Sequence, residues 1–401
     1  MVDSVLAERP AHVPTEVIVD FDIYNPPGMQ DNGFHAAWKT LQQPGVPDLV
    51  WTPRNGGHWI ATRGTLITEV FNSPETFSSR IMQVPRSRNE GNHPIPGSID
   101  SPLHAKYRAM INPHLAPKAV SAMVDGIRAL TVELIEGFKP KGRCDFLTEF
   151  ALELPLRIFL GYANLPVEDL PKLRALAEEK NRPVNMTAAD VMRELHAYLE
   201  PIVAARIGSN GEDLISKVLS GTVDGAYVSI DEGVRFCSQI VVAGLDTVAS
   251  LLSFTFHMLA QRPDLRATLA TQPEIVPAAT DEFIRRFPLV AIARELDGEF
   301  EHDGVTLRPG DVIVLPTMLH GLDERYVEDP MTIDFMRSQI LNSTFGGGPH
   351  RCPGSALGRT EVRIVLEEWF QRIPDFTLLH PERVGYRSGV AGTITNLELR
   401  W

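Results

Sequence analysis

The chain has 401 residues, of which 43% are hydrophobic and 22% are charged, and this ordinary balance excludes a disordered, collagen-like or disulfide-rich protein. Its 38 Lys and Arg residues stand against 51 Asp and Glu, so the formal charge is −13. A charge of this sign repels the phosphate backbone, and we expect no nucleic-acid binding.

The three cysteines, Cys144, Cys237 and Cys352, are widely separated. They are too few for a disulfide framework or a paired-cysteine metal site, and they indicate a reducing cytoplasm. The first residues carry neither an apolar span of ~20 residues nor a basic-then-apolar signal peptide, so we expect a soluble protein without a membrane anchor. No repeat, low-complexity tract or Gly/Ser linker interrupts the sequence, which predicts a single domain over residues 1–401.

The predicted elements are mainly helical, with small β-sheets. Residues 49–78 have the pattern of two short strands followed by a helix. A second β-rich stretch covers 294–315, where strand composition alternates with Gly and Pro turns. Helical periodicity is found in 117–138, 187–206, 230–261, 273–287 and 355–373.

The helix predicted over 230–261 is the longest. Ser229 and Glu232 form a capping-box pattern at its start, and Arg262-Pro263 supplies a stop. About 30 helical residues would span ~45 Å and cross the whole domain. Because its middle is apolar on nearly every face, we expect this helix to be buried.

Three residues in the middle of that helix are unfavourable in a buried helix interior, namely Gly244, Asp246 and Thr247. Glycine costs about 1 kcal/mol relative to alanine in a helix interior, and burial of an unpaired carboxylate costs more. Such conflicts are expected at functional sites, and we predict a break in the helix here. The alternative is that Asp246 and Thr247 cap a second helical segment.

The strongest local signal is FGGGPHRCPG, residues 345–354. Its glycines allow the backbone to approach a flat ligand closely, and a helix starting near Ser355 directs its positive end toward Cys352. With His350 and Arg351 alongside, this setting favours a thiolate. The alternative is a small buried cysteine after a Gly-rich turn, and that is our interpretation of Cys144 and Cys237.

This segment resembles the haem-binding pattern F-G-x-G-x-H-x-C-x-G of the cytochrome P450 superfamily. The matching residues are Phe345, Gly346, Gly348, His350, Cys352 and Gly354. Residues 243–247 resemble the family's oxygen-activating helix motif, 282–285 its E-x-x-R motif and 104–108 its H-x-x-x-R motif. The resemblance implies the cytochrome P450 fold, with haem b between the long central helix and a loop in which Cys352 is the axial ligand of the iron.

The resemblance also implies roles for individual residues. Asp246 and Thr247 would deliver protons, Gly244 would leave room for dioxygen, and Arg182 would be the partner of Asp246. Glu282 and Arg285 would form a structural ion pair. The haem propionates would be held by His104, Arg108, Arg294 and His350, although a solvated strand residue is the alternative for Arg294.

Segments such as NGGHWIATRG and GLDERY resemble the camphor hydroxylase branch, of which this chain would be a paralogue with an altered substrate. Asn92 stands where that branch has a substrate-binding tyrosine. The expected substrate is a small hydrophobic terpenoid or norisoprenoid ketone, ionone-like or camphor-like, in a mostly apolar pocket. By the resemblance, the pocket residues are Gln83, Asn92, Gly97, Gln239, Val242, Leu289, Val290, Ile292, Val390 and Ala391.

The sequence has no GxGxxG fingerprint and no four-cysteine cluster set. Electrons would therefore come from other chains, a [2Fe-2S] ferredoxin and a separate NAD(P)H ferredoxin reductase. An acidic ferredoxin would dock on Arg108, Arg351, Arg359 and Arg363. We expect a cytoplasmic monomer.

Two other functions are compatible with a haem protein. One is a peroxide-using or dehydratase relative, and the other is a haem-binding sensor or carrier without turnover. The Asp246-Thr247 pair argues against both, because neither needs a proton relay beside dioxygen.

Overall fold

The computed structural model of the chain describes residues 6–90, 93–181 and 184–401, except for the side chains at 181, 188 and 245. The described part is mainly helical, as predicted. Its α-helices are α1 (Met29–Asn32), α2 (Phe34–Lys39), α3 (Gly64–Asn72), α4 (Leu103–Leu115), α5 (Pro117–Ser121), α6 (Val124–Phe138), α7 (Glu153–Ala163), α8 (Leu170–Asn181), α9 (Ala188–Arg206), α10 (Leu214–Leu219), α11 (Ile230–Gln261), α12 (Pro263–Thr271), α13 (Val276–Arg286), α14 (Thr317–Gly321) and α15 (Ser355–Arg372).

The strands are short. They are β1 (Leu49–Thr52), β2 (His58–Ala61), β3 (Phe77–Ser78), β4 (Arg143–Asp145), β5 (Thr222–Val223), β6 (Ala226–Tyr227), β7 (Ala291–Leu296), β8 (Phe300–His302), β9 (Val305–Leu307), β10 (Val312–Pro316), β11 (Thr377–Leu378), β12 (Tyr386–Arg387), β13 (Thr393–Ile394) and β14 (Glu398–Arg400). The largest sheet has the order β1-β2-β10-β7-β3, and β11-β14-β4 form a second. Strands from both predicted β-rich stretches therefore meet in the largest sheet, whereas β8 and β9 of the second stretch pair with each other in a separate sheet.

The start of α11 follows the predicted capping box. The Ser229 hydroxyl accepts from the Glu232 N–H at 3.2 Å, and the Glu232 carboxylate accepts from the Ser229 N–H at 2.8 Å. The helix ends at Gln261, and Pro263 opens α12. Local rules thus set both ends of the element that crosses the molecule.

The predicted break in α11 is wrong as a statement about the backbone, because α11 is one helix of 32 residues. The Thr247 hydroxyl donates to the Ala243 carbonyl at 3.1 Å, one turn earlier. The alternative in which Asp246 and Thr247 cap a second segment is wrong for the same reason. Packing of α11 against α7, α8 and α9 supports the helix on several sides, and tertiary contacts of this kind override local propensity.

Two other helix predictions need new boundaries. The helix predicted over 117–138 is divided into α5 and α6, and the one over 273–287 begins with a 3-10 turn at Pro273–Ile275 before α13. In the described residues, α11 alone is long and apolar enough to span a membrane, and 65% of its most apolar window is buried in the protein. These properties agree with its place in the core.

Candidate active site

Cys352 lies in a tight loop that leads into α15. Its N–H donates to the carbonyl oxygen of Phe345 at 2.8 Å, and the Gly346 N–H donates to the carbonyl oxygen of Ser343 at 2.7 Å. These bonds fold the segment back on itself, so the cysteine is presented by the backbone just before the first turn of α15, as predicted.

The backbone angles and close contacts of this loop require glycine at several positions. Gly346 and Gly348 have φ angles of 67° and 58°, in the left-handed region that glycine adopts without strain. A Cβ added at Gly348 would lie 2.0 Å from the carbonyl oxygen of Phe71, and one at Gly354 would lie 3.8 Å from Cys352 Sγ. The loop therefore packs closely against Phe71 of α3, a contact that the sequence did not predict.

The thiol of Cys352 is in an environment of opposed effects. Burial raises its pKa, whereas the Gly354 N–H and the charges of Arg108 and Arg351 lower it. The net direction of the pKa is upward, and stabilisation of a thiolate by the residues of the loop stays a prediction. A bound metal cation would favour the thiolate, since a thiol that coordinates a metal loses its proton.

Four donor side chains from three elements meet beside this loop. His104 and Arg108 come from α4, Arg294 from β7, and His350 from the 3-10 turn Gly348–His350. The rings of His104 and His350 lie 3.9 Å apart between centroids. Arg294 is 4% exposed and donates one hydrogen bond to the Ala293 carbonyl, at 2.8 Å. The alternative that Arg294 is a solvated strand residue is therefore wrong.

Among the described residues, no carboxylate forms an ion pair with this donor cluster, although the charge of Asp100 acts on His104 and Arg294. Burial lowers the pKa of Arg294 to about 10 and that of His104 to about 4. It lowers the pKa of His350 to about 2, with further lowering by Arg294 and His104. Within the described residues, His104 Nε2 and Arg108 Nε are buried without hydrogen-bond partners. Two carboxylates, such as haem propionates, fit this set of donors.

The middle of α11 carries the second group of predicted residues. Asp246 is 4% exposed and has interactions within the protein. A Cβ added at Gly244 would meet the ring of Phe159 at 3.2 Å, so the glycine makes room for a side chain of α7. Space for dioxygen at Gly244 stays a prediction, and Arg182 lies outside the described residues.

The predicted pocket residues fall into two neighbouring sets. In the first, Gly97 lies between two side chains: a Cβ added there would be 3.3 Å from Met82 Sδ and 3.4 Å from Gln239 Oε1. Gln83 follows Met82 and is 8% exposed. Met82 is a neighbour that the sequence did not single out, and Asn92 lies outside the described residues.

The second set joins the start of β7 to the segment before β13. Val290 and Ala391 form an isolated antiparallel bridge. The Ala291 N–H donates to the Val390 carbonyl at 2.9 Å, and the Gly392 N–H donates to the Leu289 carbonyl at 2.8 Å. Ile292 follows on β7, and Val242, on α11, packs at the edge of the second hydrophobic core.

A cavity of about 650 Å³ adjoins the Cys352 loop. All four arginines predicted for docking line it, together with Cys352. Two of them are already paired, Arg359 with Asp281 and Arg363 with Glu367. Arg108 donates to the backbone carbonyl of Arg351 at 2.7 Å, a bond that leaves the Arg351 guanidinium unaffected. Of the four arginines, Arg351 therefore has the positive charge that is most available to an acidic partner.

Glu282 and Arg285 form the ion pair that the resemblance implied. The guanidinium donates twice to the carboxylate, at 2.6 and 2.7 Å, and both side chains are fully buried. Arg285 also donates to the carbonyls of Gly321 and Pro330, at 2.7 and 2.8 Å. The pair therefore joins α13 to α14 and to the segment that leads toward the Cys352 loop.

Sequence comparison gives a family for this arrangement. A sequence model of the family described as "Cytochrome P450" matches residues 169–382. "Probable cytochrome P450 127A1" of Sinorhizobium fredii (strain NBRC 101917 / NGR234) is 30% identical over 410 residues, which cover 98% of this chain and 96% of that protein. "Steroid C26-monooxygenase" of Mycolicibacterium smegmatis is 26% identical, covering 83% of this chain and 82% of its own length.

Solved structures agree in fold. The chain superposes on CYP101J2 with a TM-score of 0.90 at 41% identity, covering 98% of this chain and 100% of that one. It superposes on CYP101C1 with a TM-score of 0.90 at 38% identity and the same coverage.

Proposed function

This chain belongs to the cytochrome P450 family, and from that membership we propose that it hydroxylates a small terpenoid or norisoprenoid ketone. It is a monooxygenase that binds haem b through a cysteine thiolate. The prediction of a haem-thiolate monooxygenase from the sequence motifs is therefore confirmed. Bound haem supplies the iron that activates dioxygen, and a thiolate ligand favours cleavage of the O–O bond. Cys352 would be that ligand, and His104, Arg108, Arg294 and His350 would hold the propionates.

The observation that carries the substrate proposal is the composition of the pocket wall. Leu289 and Ala391 are buried, Val290 and Ile292 are half-buried, and the polar contribution near Gly97 is the amide of Gln239. An apolar wall with few polar groups suits a compact ring system whose ketone accepts one hydrogen bond.

We expect β-ionone to bind more tightly than camphor. Asn92 stands where the camphor hydroxylase branch has a tyrosine, and loss of one neutral hydrogen bond to the camphor carbonyl weakens binding by about 0.5–1.5 kcal/mol, or roughly 2- to 13-fold. Dissociation constants from substrate-induced spectral titration of both ketones measure the preference. Asn92→Tyr should shift the ratio toward camphor, and a wild-type preference for camphor would contradict this prediction.

Thr247 and Asp246 have separate tasks in the proposed mechanism. The Thr247 hydroxyl donates to Ala243, so its lone pairs remain free to hold a water that carries a proton. The buried carboxyl of Asp246, one residue away, would supply that proton and regain it from solvent. Both groups are on one helix and need no rearrangement of the backbone.

Thr247→Ala should retain haem and substrate but release hydrogen peroxide instead of most of the hydroxylated product, because the proton-carrying water is no longer held. Asp246→Asn should slow turnover by roughly 10²-fold, since an amide cannot donate and regain a proton. The measurement is product and peroxide formed per NAD(P)H consumed. Thr255→Ala is the matched control, because Thr255 makes the same bond one turn back on α11, to Leu251 at 2.8 Å.

The two substitutions have separate contradicting results. Tight coupling in Thr247→Ala would mean that the hydroxyl has no part in proton delivery. Unchanged turnover in Asp246→Asn would make the aspartate structural.

The electron donor that we propose is a [2Fe-2S] ferredoxin, reduced by a separate NAD(P)H ferredoxin reductase. The cavity beside Cys352 supports this, because its arginines suit an acidic partner although the whole chain carries −13. Since Arg359 and Arg363 are paired within the chain and Arg108 is assigned to a haem propionate, Arg351 would dominate the attraction. We further propose that the protein is a single-domain cytoplasmic monomer.

A further inference from the structure

Three segments that are distant in the sequence meet at Gly97. A Cβ added at Gly97 would lie 3.1 Å from Cε and 3.3 Å from Sδ of Met82, and 3.4 Å from Oε1 of Gln239. Met82 follows β3, Gly97 precedes α4, and Gln239 is on α11. All three residues are half-buried. The end of the Met82 side chain and the amide of Gln239 therefore lie beside a glycine that leaves room for both.

This junction lies at one end of an accessible face of α11. Gln239, Ala243 and Thr247 are spaced by four residues, so they lie on the same side of the helix. Gln239 and Thr247 are half-buried and Ala243 is exposed. On other sides of the same segment, Ile240 and Val241 are buried. The accessible face thus runs from the junction toward the threonine that has a part in the proposed proton delivery.

Asn89 fixes the backbone at Met82. Its Oδ1 accepts from the N–H groups of Met82 and Gln83, at 3.0 and 3.2 Å. Its Nδ2 donates to the carbonyls of Gln83 and Arg86, at 2.8 and 3.1 Å. The side chain is buried, and both of its hydrogens and both lone pairs of its oxygen are used within this short loop. An aspartate could accept the same two bonds but has no hydrogens with which to donate the other two.

The carbonyl of Met82 is bonded on the opposite side, to the largest sheet. It accepts from the Ala293 N–H of β7 at 2.9 Å. Ala293 lies between Ile292, a proposed pocket residue, and Arg294, a proposed propionate donor. Both backbone polar groups of Met82 are therefore bonded, one to Asn89 and one to β7. The methionine side chain extends from a fixed point.

We propose that Met82 limits the length of the substrate and that Asn89 is the positioning residue that keeps it in place. This inference rests on the proposed function and deepens it, because it specifies the size of the molecule that the pocket takes. With Met82 against Gly97 and beside Gln239, the pocket admits one ring system with a short side chain and excludes two linked rings. Methionine suits this task, since its unbranched and polarizable side chain fills irregular gaps.

The test compares 4-phenylimidazole with 4-(biphenyl-4-yl)imidazole, which both bind haem iron through nitrogen and differ by one ring. Neither needs a contact to a carbonyl, so the result does not depend on the natural substrate. The ratio of their dissociation constants is measured from the nitrogen-ligand spectral shift of the haem-loaded protein. Wild type should favour the shorter imidazole by roughly tenfold, and Met82→Ala should lose most of this preference, because the added ring can then be buried.

Matched variants separate the length of the pocket from general packing. Met82→Leu conserves side-chain volume and should retain the wild-type ratio. Met123→Ala should also retain it, because Met123 is a half-buried methionine that packs against the main hydrophobic core. Asn89→Ala should lower the ratio part of the way in wild type and should not change it in Met82→Ala, since Asn89 acts through Met82. An asparagine with a merely structural role would lower stability and leave the ratio unchanged.

Thermal unfolding establishes that each variant is folded, and Met82→Val replaces Met82→Ala if the alanine variant is not. Equal binding of the two imidazoles by wild type, or the wild-type ratio in Met82→Ala, would overturn the proposal. Failure of folded Met82→Ala to bind either imidazole would also overturn it, because the opened pocket should admit both. An unchanged ratio in Asn89→Ala would remove the positioning role of Asn89.

The same measurements distinguish this inference from the proposed function. If the imidazole ratio changes as expected and neither β-ionone nor camphor binds, Met82 limits the length of the pocket and the terpenoid ketone is wrong. If a ketone binds and the ratio does not respond to Met82→Ala, the role of Met82 is wrong and the ketone proposal stands.

Discussion

The reduced, carbon monoxide-treated wild type is expected to show a strongly red-shifted Soret band, and Cys352→His is expected to abolish both this band and hydroxylation. A histidine ligand gives a globin-like haem that lacks the electron donation of a thiolate. The loop would present the imidazole from the same backbone position, held by the Phe345 carbonyl. The change therefore tests the ligand and not the fold.

Cys237→Ala is the matched control, because Cys237 is fully buried in the second hydrophobic core. It should keep the red-shifted band. A globin-like spectrum in wild type, or a red-shifted band in Cys352→His, would remove Cys352 from the iron.

Breaking the Glu282–Arg285 pair is expected to have the largest effect on stability. Arg285→Met removes the cation that donates twice to Glu282 and leaves this buried carboxylate with the longer contact to Arg337, at 3.3 Å. Glu282→Met leaves the guanidinium groups of Arg285 and Arg337 without their carboxylate. Removing one partner of a buried pair costs about 3–5 kcal/mol, and the carbonyls of Gly321 and Pro330 also lose their donor in Arg285→Met. Urea unfolding of the haem-loaded protein measures this loss.

The double variant Glu282→Met/Arg285→Met should lose less than the sum of the two single variants, because neither member of the fully buried pair is left without the other. Arg337, which is 11% exposed, loses its contact with Glu282 in the Glu282→Met variant and in the double variant alike. Arg193→Met, in an exposed pair with Asp190 on α9, should cost less than about 1 kcal/mol. Additive losses in the double variant would show that the two side chains act independently.

Local patterns predicted those parts of the molecule that local chemistry determines. Ser229 and Glu232 cap α11 because both are within three residues of each other, and the loop glycines are recognisable because Gly346 and Gly348 need left-handed backbone. The E-x-x-R spacing likewise puts Glu282 and Arg285 on one face of α13.

Contacts between distant segments could not be predicted in this way. The break expected at Gly244 does not occur, because Phe159 of α7 fills the space beside it and α11 is supported by packing. Arg88 and Lys180 meet across 92 residues of sequence, and neither belongs to a motif. Nor does spacing show that Arg359 is already paired with Asp281.

Substrate specificity and the reduction potential of the haem both depend on strand β7 in the proposed function. Ile292 and Arg294 are two residues apart and therefore share a face of the strand, opposite Leu315 and Ile313 of β10. Ile292 is a proposed pocket residue, and Arg294 is a proposed donor for a haem propionate. A directed-evolution experiment that selects at position 292 for a new substrate would also shift the support beneath Arg294, and with it the reduction potential, so that specificity and electron uptake would evolve together.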